Sequence, residues 1–463
     1  PTFISGSGGW SDVSDSGAGT DGTAVLGVSG GLTLTATRWR AAATQQTITV
    51  ASGDQATPHT IRLVIARGPI FLRIGTSSGG EQVLTEIKLS TGTHKLTITP
   101  NAGTIYLRLR SEDPVARLVT SCQFEHTALG GSGNLTLPTP WGADDLQLLT
   151  YDQSNDVLFI GDGVHQPQRI EQRGTRSWGI TPYQTRKGPL QYPASDKITL
   201  TPSGTFGNGT LTASMPYFKA SHVGCLFELT HNAQSVSEQV YGVDQATDKI
   251  TVIGLYSSAV AANDRSFSYA LDFSTGSFVG TIALERSTDV DGNVWSPVTS
   301  FSVHTGSTSY NDQQSDLRAH YRFRVTAYTS GYATVSLSYA GGSRTGLARI
   351  TSYSSDTVVG FESITAFGGT SATRDWREPM WSDDLGWPRV PRLFDGRLFW
   401  FLKDLAFASV SDDFDNYDDS VEGDSGPIIR SVGTGAAKGV RWALDMQRLI
   451  AGIGARPVAI EPV

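Results

Sequence analysis

Alternation of apolar residues with a period of two dominates the first quarter of the chain. Segments 70–74 and 105–109, for example, carry isoleucine or leucine at every second position. In an extended strand, this period places one row of side chains in a core and the other towards solvent. Turn sequences such as 77–80 and 101–103 separate these runs at the spacing typical of a β-sandwich. The pattern predicts a jelly-roll-like, carbohydrate-binding-like sandwich over residues 1–126.

The rest of the chain also contains short strand patterns, but its composition changes along the sequence. A stretch rich in Gly, Ser and Pro marks a boundary at 130–140, and tryptophans become frequent from Trp376 onwards. We therefore predict a blade-like β segment over 127–196, a small β-barrel over 197–270, an immunoglobulin-like sandwich over 271–368 and a tryptophan-rich blade-like segment over 369–463. In this last unit only 440–450 fits a short helix. We expect the unit to continue beyond the chain end.

Composition supports an all-β, multidomain fold. The 463 residues include 51 glycines, while charged residues make up only 17 %. This mixture disfavours long amphipathic helices and favours strands joined by tight turns. At roughly 100–200 residues per domain, a chain of this length forms several units.

The charge balance argues against a protein that grips nucleic acid. Lys and Arg number 36 against 44 Asp and Glu, which gives a net charge of −8. Such a chain lacks the basic surface through which proteins hold phosphates. Cys122 and Cys225 have neither metal-binding spacing nor a disulfide framework. No apolar run is long enough to predict a membrane segment.

Four sequence blocks follow one another at 373–378, 381–389, 396–400 and 408–417. The second contains Gly-Trp-Pro-Arg between tryptophans, and the third contains Arg-Leu-Phe-Trp. Their kind and order resemble the pattern of tail nozzle proteins of short-tailed bacteriophages, the tail tubular protein B-like family. Together with a second matching stretch at 140–178, the resemblance covers residues 137–450. The residues that match the family's structural motif are Trp178, Trp376, Trp387, Pro388, Arg389, Arg397, Trp400 and Phe414.

The resemblance implies a structural protein of the virion tail, present in the host cytoplasm during assembly. Six copies would form a ring that contacts the tail adaptor and fibre proteins. The ring would conduct and gate the viral DNA during ejection without binding it tightly. The matched residues would pack rather than react, so the resemblance implies neither an enzyme nor a cofactor.

A binding protein is the main alternative function. A tail fibre or adhesin could recognise a bacterial surface glycan through residues 1–126. Trp10, Trp39 and Tyr106 could then form the platform, because sugar rings stack on aromatic faces. A glycan depolymerase is a third alternative, but the sequence offers no convincing pair of carboxylates on a repeated β-helix.

Three further motifs have both a chemical and a structural interpretation. The acidic run Asp412, Asp413, Asp415, Asp418 and Asp419 could hold a divalent cation, although charge runs are usually solvated loops. Segment 289–293 resembles the start of a calcium loop, but its Asp-Gly predicts a hairpin turn and the closing Glu is missing. Segment 423–427 resembles the surroundings of a serine-protease nucleophile, but no histidine lies in a recognisable partner motif.

Overall fold

The computed structural model describes residues 9–28, 30–125, 135–256, 258, 264–314, 318–432, 439–453 and 456–460. Apart from three short 3-10 turns, the regular elements of these residues are strands in antiparallel sheets. The predicted all-β, multidomain fold is therefore confirmed. None of the described helices is long and apolar enough to cross a membrane. The turns span Ala143–Leu148, Ala220–His222 and Gly423–Ser425.

Ten strands form the N-terminal sandwich. They are β1 (Trp10–Asp12), β2 (Thr23–Val28), β3 (Gly31–Thr35), β4 (Ala42–Thr49), β5 (His59–Arg67), β6 (Ile70–Gly75), β7 (Leu84–Leu89), β8 (Gly92–Ile98), β9 (Thr104–Ser111) and β10 (Arg117–Glu125). One sheet has the order β1-β4-β9-β6-β7, and the strands β8-β5-β10-β3-β2 lie in the other. Alternate residues of both sheets, among them Leu63 on β5 and Leu107 on β9, fill one shared core.

A four-stranded meander continues the second of these sheets. Its strands are β11 (Thr150–Ser154), β12 (Val157–Gly161), β13 (Gln168–Gly174) and β14 (Ser177–Pro182). Strand β14 pairs with β8, so that the combined sheet has nine strands. At Gly92, where φ is +141°, a Cβ would lie 2.3 Å from the Ile180 carbonyl oxygen. Only glycine allows the two units to approach this closely.

The next fifteen strands form two units. They are β15 (Leu190–Gln191), β16 (Leu200–Pro202), β17 (Asn208–Ala213), β18 (Leu226–His231), β19 (Gln234–Val240), β20 (Ile250–Val252), β21 (Ser266–Asp272), β22 (Val279–Ser287), β23 (Ser296–Phe301), β24 (Thr305–Asn311), β25 (Ala319–Ser330), β26 (Ala333–Tyr339), β27 (Arg344–Tyr353), β28 (Val358–Thr365) and β29 (Trp376–Pro379). Strands β19-β26-β21-β24 and β20-β25-β22-β23 form a sandwich around one core. The others form a seven-stranded sheet in the order β15-β29-β18-β27-β28-β17-β16.

This sandwich is an insertion, and its limits correct the predicted domain boundaries. It occupies 234–339 rather than 271–368, and the strands of the predicted 197–270 barrel divide between the sandwich and the seven-stranded sheet. Val236 and Ile250 pack into the sandwich core, although they precede the predicted boundary. Alternation identifies strands but not their partners, so it could not place this boundary.

The C-terminal part contains a second meander and a small sheet. The strands are β30 (Val390–Phe394), β31 (Arg397–Leu402), β32 (Leu405–Ala408), β33 (Ile428–Ser431), β34 (Val440–Asp445), β35 (Leu449–Ile453) and β36 (Arg456–Ile460). The helix predicted over 440–450 is wrong, because β34 and β35 form a hairpin there. Ala443 and Leu449 are buried, whereas Trp442 is 44 % exposed. The two strands bury their apolar residues against the meander instead of along a helix face.

His94 lies where the N-terminal sandwich meets the first meander, opposite Gly179. Its side chain is completely buried, and burial lowers the pKa of the imidazole to about 4. In the unfolded chain, a histidine has a pKa of about 6.5. The unfolded state therefore binds a proton at a pH where folded His94 remains neutral. Stability is lost as the pH falls from about 6.5 towards 4.

We predict that His94 alone costs the protein roughly 2–3 kcal/mol of unfolding free energy between pH 7 and about pH 4.5, at about 1.4 kcal/mol per pKa unit. Over this pH range, the free energy of unfolding of His94→Gln should therefore fall by about 2–3 kcal/mol less than that of the wild type. Urea unfolding measures the difference. His304→Gln removes a surface histidine and serves as the control, which should follow the wild type. An unchanged pH dependence in His94→Gln would contradict the prediction.

Candidate functional site

Some residues of the nozzle-like motif lie in or beside an aromatic cluster between the two meanders. Strand β31 lies at its centre, and every residue of this strand is buried. Trp400 has no exposed surface, and its ring centroid lies 5.3 Å from that of Tyr183. Trp381 packs edge-on against Phe407 and Tyr417. The aromatic cluster consists of Phe159, Tyr183, Trp381, Trp387, Trp400, Phe407 and Tyr417.

The other motif residues occupy three different settings. Trp376 is buried in the core of the seven-stranded sheet and donates from Nε1 to the carbonyl of Ile198 at 3.0 Å. Trp178 is half-buried on β14. Phe414 packs at the edge of the aromatic cluster, with its centroid 6.2 Å from that of Phe159. The motif tryptophans are therefore not one site, although Trp376, Trp387 and Trp400 are all buried.

Two motif arginines hold the backbone around the cluster. Arg397 is buried, and its guanidinium donates to the carbonyls of Ser409 and Gly426, both at 2.6 Å. Arg389, which follows the buried Pro388, donates from Nε to the Leu148 carbonyl at 3.1 Å. Both guanidinium groups donate to carbonyl oxygens, and among the described residues neither has a carboxylate within ion-pair distance. Both arginines thus act as structural clamps.

The acidic run docks onto the first meander and the seven-stranded sheet. Asp413 pairs with Arg186, and Asp415 pairs with Arg169 at 2.8 Å. Asp418 pairs with Lys187 at 2.8 Å, and Asp419 pairs with Arg377 at 2.5 Å. Each of these carboxylates faces its own cation, and exposed Asp412 stands apart. The structure therefore does not bring these carboxylates together as a cation loop, which was the less favoured interpretation of the acidic run.

The electrostatics of this docked run differ from one residue to the next. Burial raises the pKa of Asp415, and the Arg169 charge only partly offsets this effect. Burial acts in the same direction on Asp418, but hydrogen bonds from Lys187 and Ser420 outweigh it and lower the pKa. Backbone bonds complete the docking, since Tyr417 N donates to the Lys187 carbonyl at 2.8 Å. The sequence did not identify these partners.

Ser425 does not meet a histidine base in the part of the chain that the structure describes. It lies in the last 3-10 turn, where its carbonyl accepts a hydrogen bond from Ser411 N at 3.1 Å. The described histidines have other partners, such as Ser371 O for His231 and Val290 O for His320. The expectation that the chain is not a hydrolase stays a prediction.

The three residues of the alternative glycan platform do not form one exposed aromatic surface. Trp10 is only 6 % exposed and belongs to the core of the N-terminal sandwich. Tyr106 lies half-buried on the opposite face of β9 from that core. Trp39 is half-buried under the Arg38 guanidinium, in a turn that contacts the inserted sandwich. A tryptophan in a strand can be buried in the core or exposed on the surface, and the sequence alone did not distinguish these two positions.

Segment 289–293 is a hairpin turn, as its Asp-Gly predicted. It joins β22 to β23, which pair antiparallel. Asp289 accepts hydrogen bonds from Gly292 N through its carbonyl and from Asn293 N through its side chain. Gly292 has φ +70°, the conformation that glycine adopts most easily.

One group of side chains with ligand chemistry escaped the sequence analysis. Asp145 in the first 3-10 turn lies beside Asp162 and His165, which follow β12. Their ligand atoms lie within 4.8 Å of one another. A hydrogen bond from the ring to Asp162 raises the pKa of His165. The only sequence signal was an Asp and a His three positions apart in a turn, which is too common to single out.

Comparisons with known proteins assign no family. No family pattern and no curated protein match the chain. Among solved structures, an IolB-like protein from Salmonella typhimurium is 8 % identical, with a TM-score of 0.12, over 65 % of this chain and 83 % of that one. A vicilin from Solanum melongena is 9 % identical, with a TM-score of 0.11, over 68 % and 82 % of the two chains. A catalytic domain with CBM51 domains from Clostridium perfringens ZmpB is 7 % identical, with a TM-score of 0.14, over 67 % and 34 %. TM-scores this low carry no argument about function.

We predict that Trp400→Ala lowers the free energy of unfolding by about 3–5 kcal/mol, because it empties a fully enclosed ring site. Thermal and urea unfolding of the purified protein measure the loss. Trp442→Ala makes the same substitution at a tryptophan that is 44 % exposed, and it should cost about 1 kcal/mol or less. Equal losses in the two variants would contradict the central role of the aromatic cluster.

Proposed function

We propose that this chain is a structural subunit of a short-tailed bacteriophage tail, in which copies form a nozzle ring that conducts and gates the genome. The structural observation that supports this proposal is the cross-linking of the described β units into one framework. The phage assignment itself depends on the sequence resemblance at 137–450. The framework adds a physical reason why such a chain suits a tail wall.

Strand pairing and aromatic packing join the first meander to both of its neighbours. Pairing of β14 with β8 makes it continuous with the N-terminal sandwich. On its other side, Leu393 N donates to Asp152 at 2.7 Å, and Thr150 donates to the Arg389 carbonyl at 2.5 Å. Bending would break strand pairing at the first junction, and it would break these hydrogen bonds and open the aromatic cluster at the second.

Ion pairs connect the remaining units. Arg38 of the N-terminal sandwich pairs with Glu238 of the inserted sandwich at 2.6 Å. Arg117 pairs with Glu362 of the seven-stranded sheet at 3.1 Å. Arg377 of that sheet pairs with Asp419 of the acidic run. Single exposed pairs contribute little, but several such pairs between packed units restrict their relative motion. A wall around pressurised DNA needs this resistance to hinge motion.

The charge distribution also suits a conduit. The net charge is −8, and many of the arginines are already paired with carboxylates, as Arg169 is with Asp415. Paired cations release few counterions when DNA approaches, so they contribute little affinity. A DNA strand can therefore slide past such a surface without being held.

The ring is tested by imaging the full-length polypeptide, both purified and in virions. We expect electron cryo-microscopy of particles to place it in a rotationally symmetric tail assembly below the portal. Trp442→Ala should join this assembly, whereas Trp400→Ala should reduce its incorporation. A protein that stays monomeric at every concentration and is absent from virions would overturn the proposal.

We predict that the chain binds duplex DNA only weakly, with a Kd above about 1 μM at physiological salt, because its 44 Asp and Glu outnumber its 36 Lys and Arg. Fluorescence anisotropy with a labelled duplex measures this affinity across a salt series. Asp413→Asn together with Asp415→Asn removes one carboxylate each from Arg186 and Arg169 and should strengthen binding at low salt. Tight binding by the wild type would contradict the conduit interpretation.

A further inference from the structure

Buried carboxylates in the described residues follow a clear rule. Six Asp or Glu residues are buried, and five of them have an arginine within ion-pair distance. These five are Glu171, Glu228, Glu285, Asp312 and Glu362. An arginine keeps its charge at all relevant pH values, so it compensates a buried carboxylate permanently.

Asp162 departs from this rule. Its side chain has no exposed surface, and among the described residues its ion-pair partner is His165, with Nδ1 and Oδ2 2.6 Å apart. The other carboxylate oxygen accepts hydrogen bonds from the backbone N–H groups of Val164 and His165, at 2.9 and 2.8 Å. Asp162 is thus held firmly in place while it lacks a permanent cation.

A second carboxylate approaches the same point from another segment. Asp145 accepts a hydrogen bond from Gly142 N at 2.8 Å, which fixes its position in the 3-10 turn. Together, Asp145, Asp162 and His165 offer two carboxylates and one imidazole, all within 4.8 Å of one another. Two carboxylates face at most one positive charge from the histidine, so a divalent cation matches the site better.

We propose that Asp145, Asp162 and His165 bind one divalent transition-metal ion, with Zn²⁺ as the best match. Zinc accepts imidazole nitrogen and carboxylate oxygen at about 2.0–2.2 Å. In tetrahedral geometry, two ligand atoms at that distance lie about 3.3–3.6 Å apart, so the 2.6 Å Nδ1–Oδ2 contact opens by roughly 0.7–1 Å when zinc binds. Ca²⁺ and Mg²⁺ prefer sites built from oxygen alone, and an imidazole ligand favours zinc over them.

The ion would fasten two chain segments to each other beside Arg389. Asp145 belongs to the turn whose end is held by Arg389, through Leu148 O. The loop that carries Asp162 and His165 also lies against Arg389, since a Cβ on Gly163 would meet that side chain at 3.2 Å. Binding would therefore tie the segment before β11 to the loop after β12, both of which already contact Arg389. This inference does not depend on the nozzle proposal.

The test is zinc binding by the full chain after removal of metal with a chelator. Isothermal titration with ZnCl₂ should show one tight site per chain, and elemental analysis should then find one zinc. Asp145→Asn and His165→Gln should each weaken binding by about tenfold or more. Asp156→Asn and His304→Gln change an exposed carboxylate and a surface histidine outside the group and should bind like the wild type.

Cobalt provides a direct view of the ligands. Co²⁺ bound in place of zinc should give a visible spectrum that changes in His165→Gln but not in His304→Gln. Asp162→Asn is a third variant, but it alters a buried group, so the surface positions Asp145 and His165 decide the outcome. Absence of stoichiometric zinc binding, or wild-type affinity in both Asp145→Asn and His165→Gln, would overturn the proposal and leave an ordinary histidine–aspartate ion pair.

Discussion

A four-stranded meander cannot bury its own apolar face, and the architecture around β11 to β14 follows from this constraint. The meander contributes Phe159 to the aromatic cluster. Its edge strand β14 would lack a partner on one side if the meander stood alone. Strand β8 occupies that edge, and Trp400 with its neighbours covers the face. The first meander therefore depends on both the N-terminal sandwich and the second meander. Burying one fully enclosed aromatic ring contributes several kcal/mol, which is a large share of a domain's net stability.

Much of the strand content could be predicted from the sequence, because a period of two has a direct structural meaning. Alternation in 70–74 and 105–109 correctly identified β6 and β9, and the Asp-Gly at 291–292 identified the turn between β22 and β23. The helix predicted at 440–450 failed because a short apolar segment fits either a helix or a hairpin. Its burial on the second meander decided between them.

Pairing over long distances was beyond the reach of the sequence. Asp415 and Arg169 are 246 positions apart, so the acidic run looked like a solvated or cation-binding loop. The insertion at 234–339 also leaves no local mark, since strand patterns continue across both of its ends. The same limit applies to single residues such as Trp10. That a residue is a tryptophan does not show whether it lies in a core or on a ligand-binding surface. In each case, the deciding contact comes from a segment far away in the chain.

The inserted sandwich leaves and rejoins the seven-stranded sheet at one place. His231 at the end of β18 pairs with Arg344 at the start of β27, so the two ends of the insertion are neighbours across a ladder. The host sheet would close with a short hairpin loop if residues 234–339 were absent, and the sandwich keeps a core of its own. Such a cassette can be exchanged by recombination while the host sheet keeps its pairing. Related chains can thus differ by a whole domain at this point and still share one scaffold.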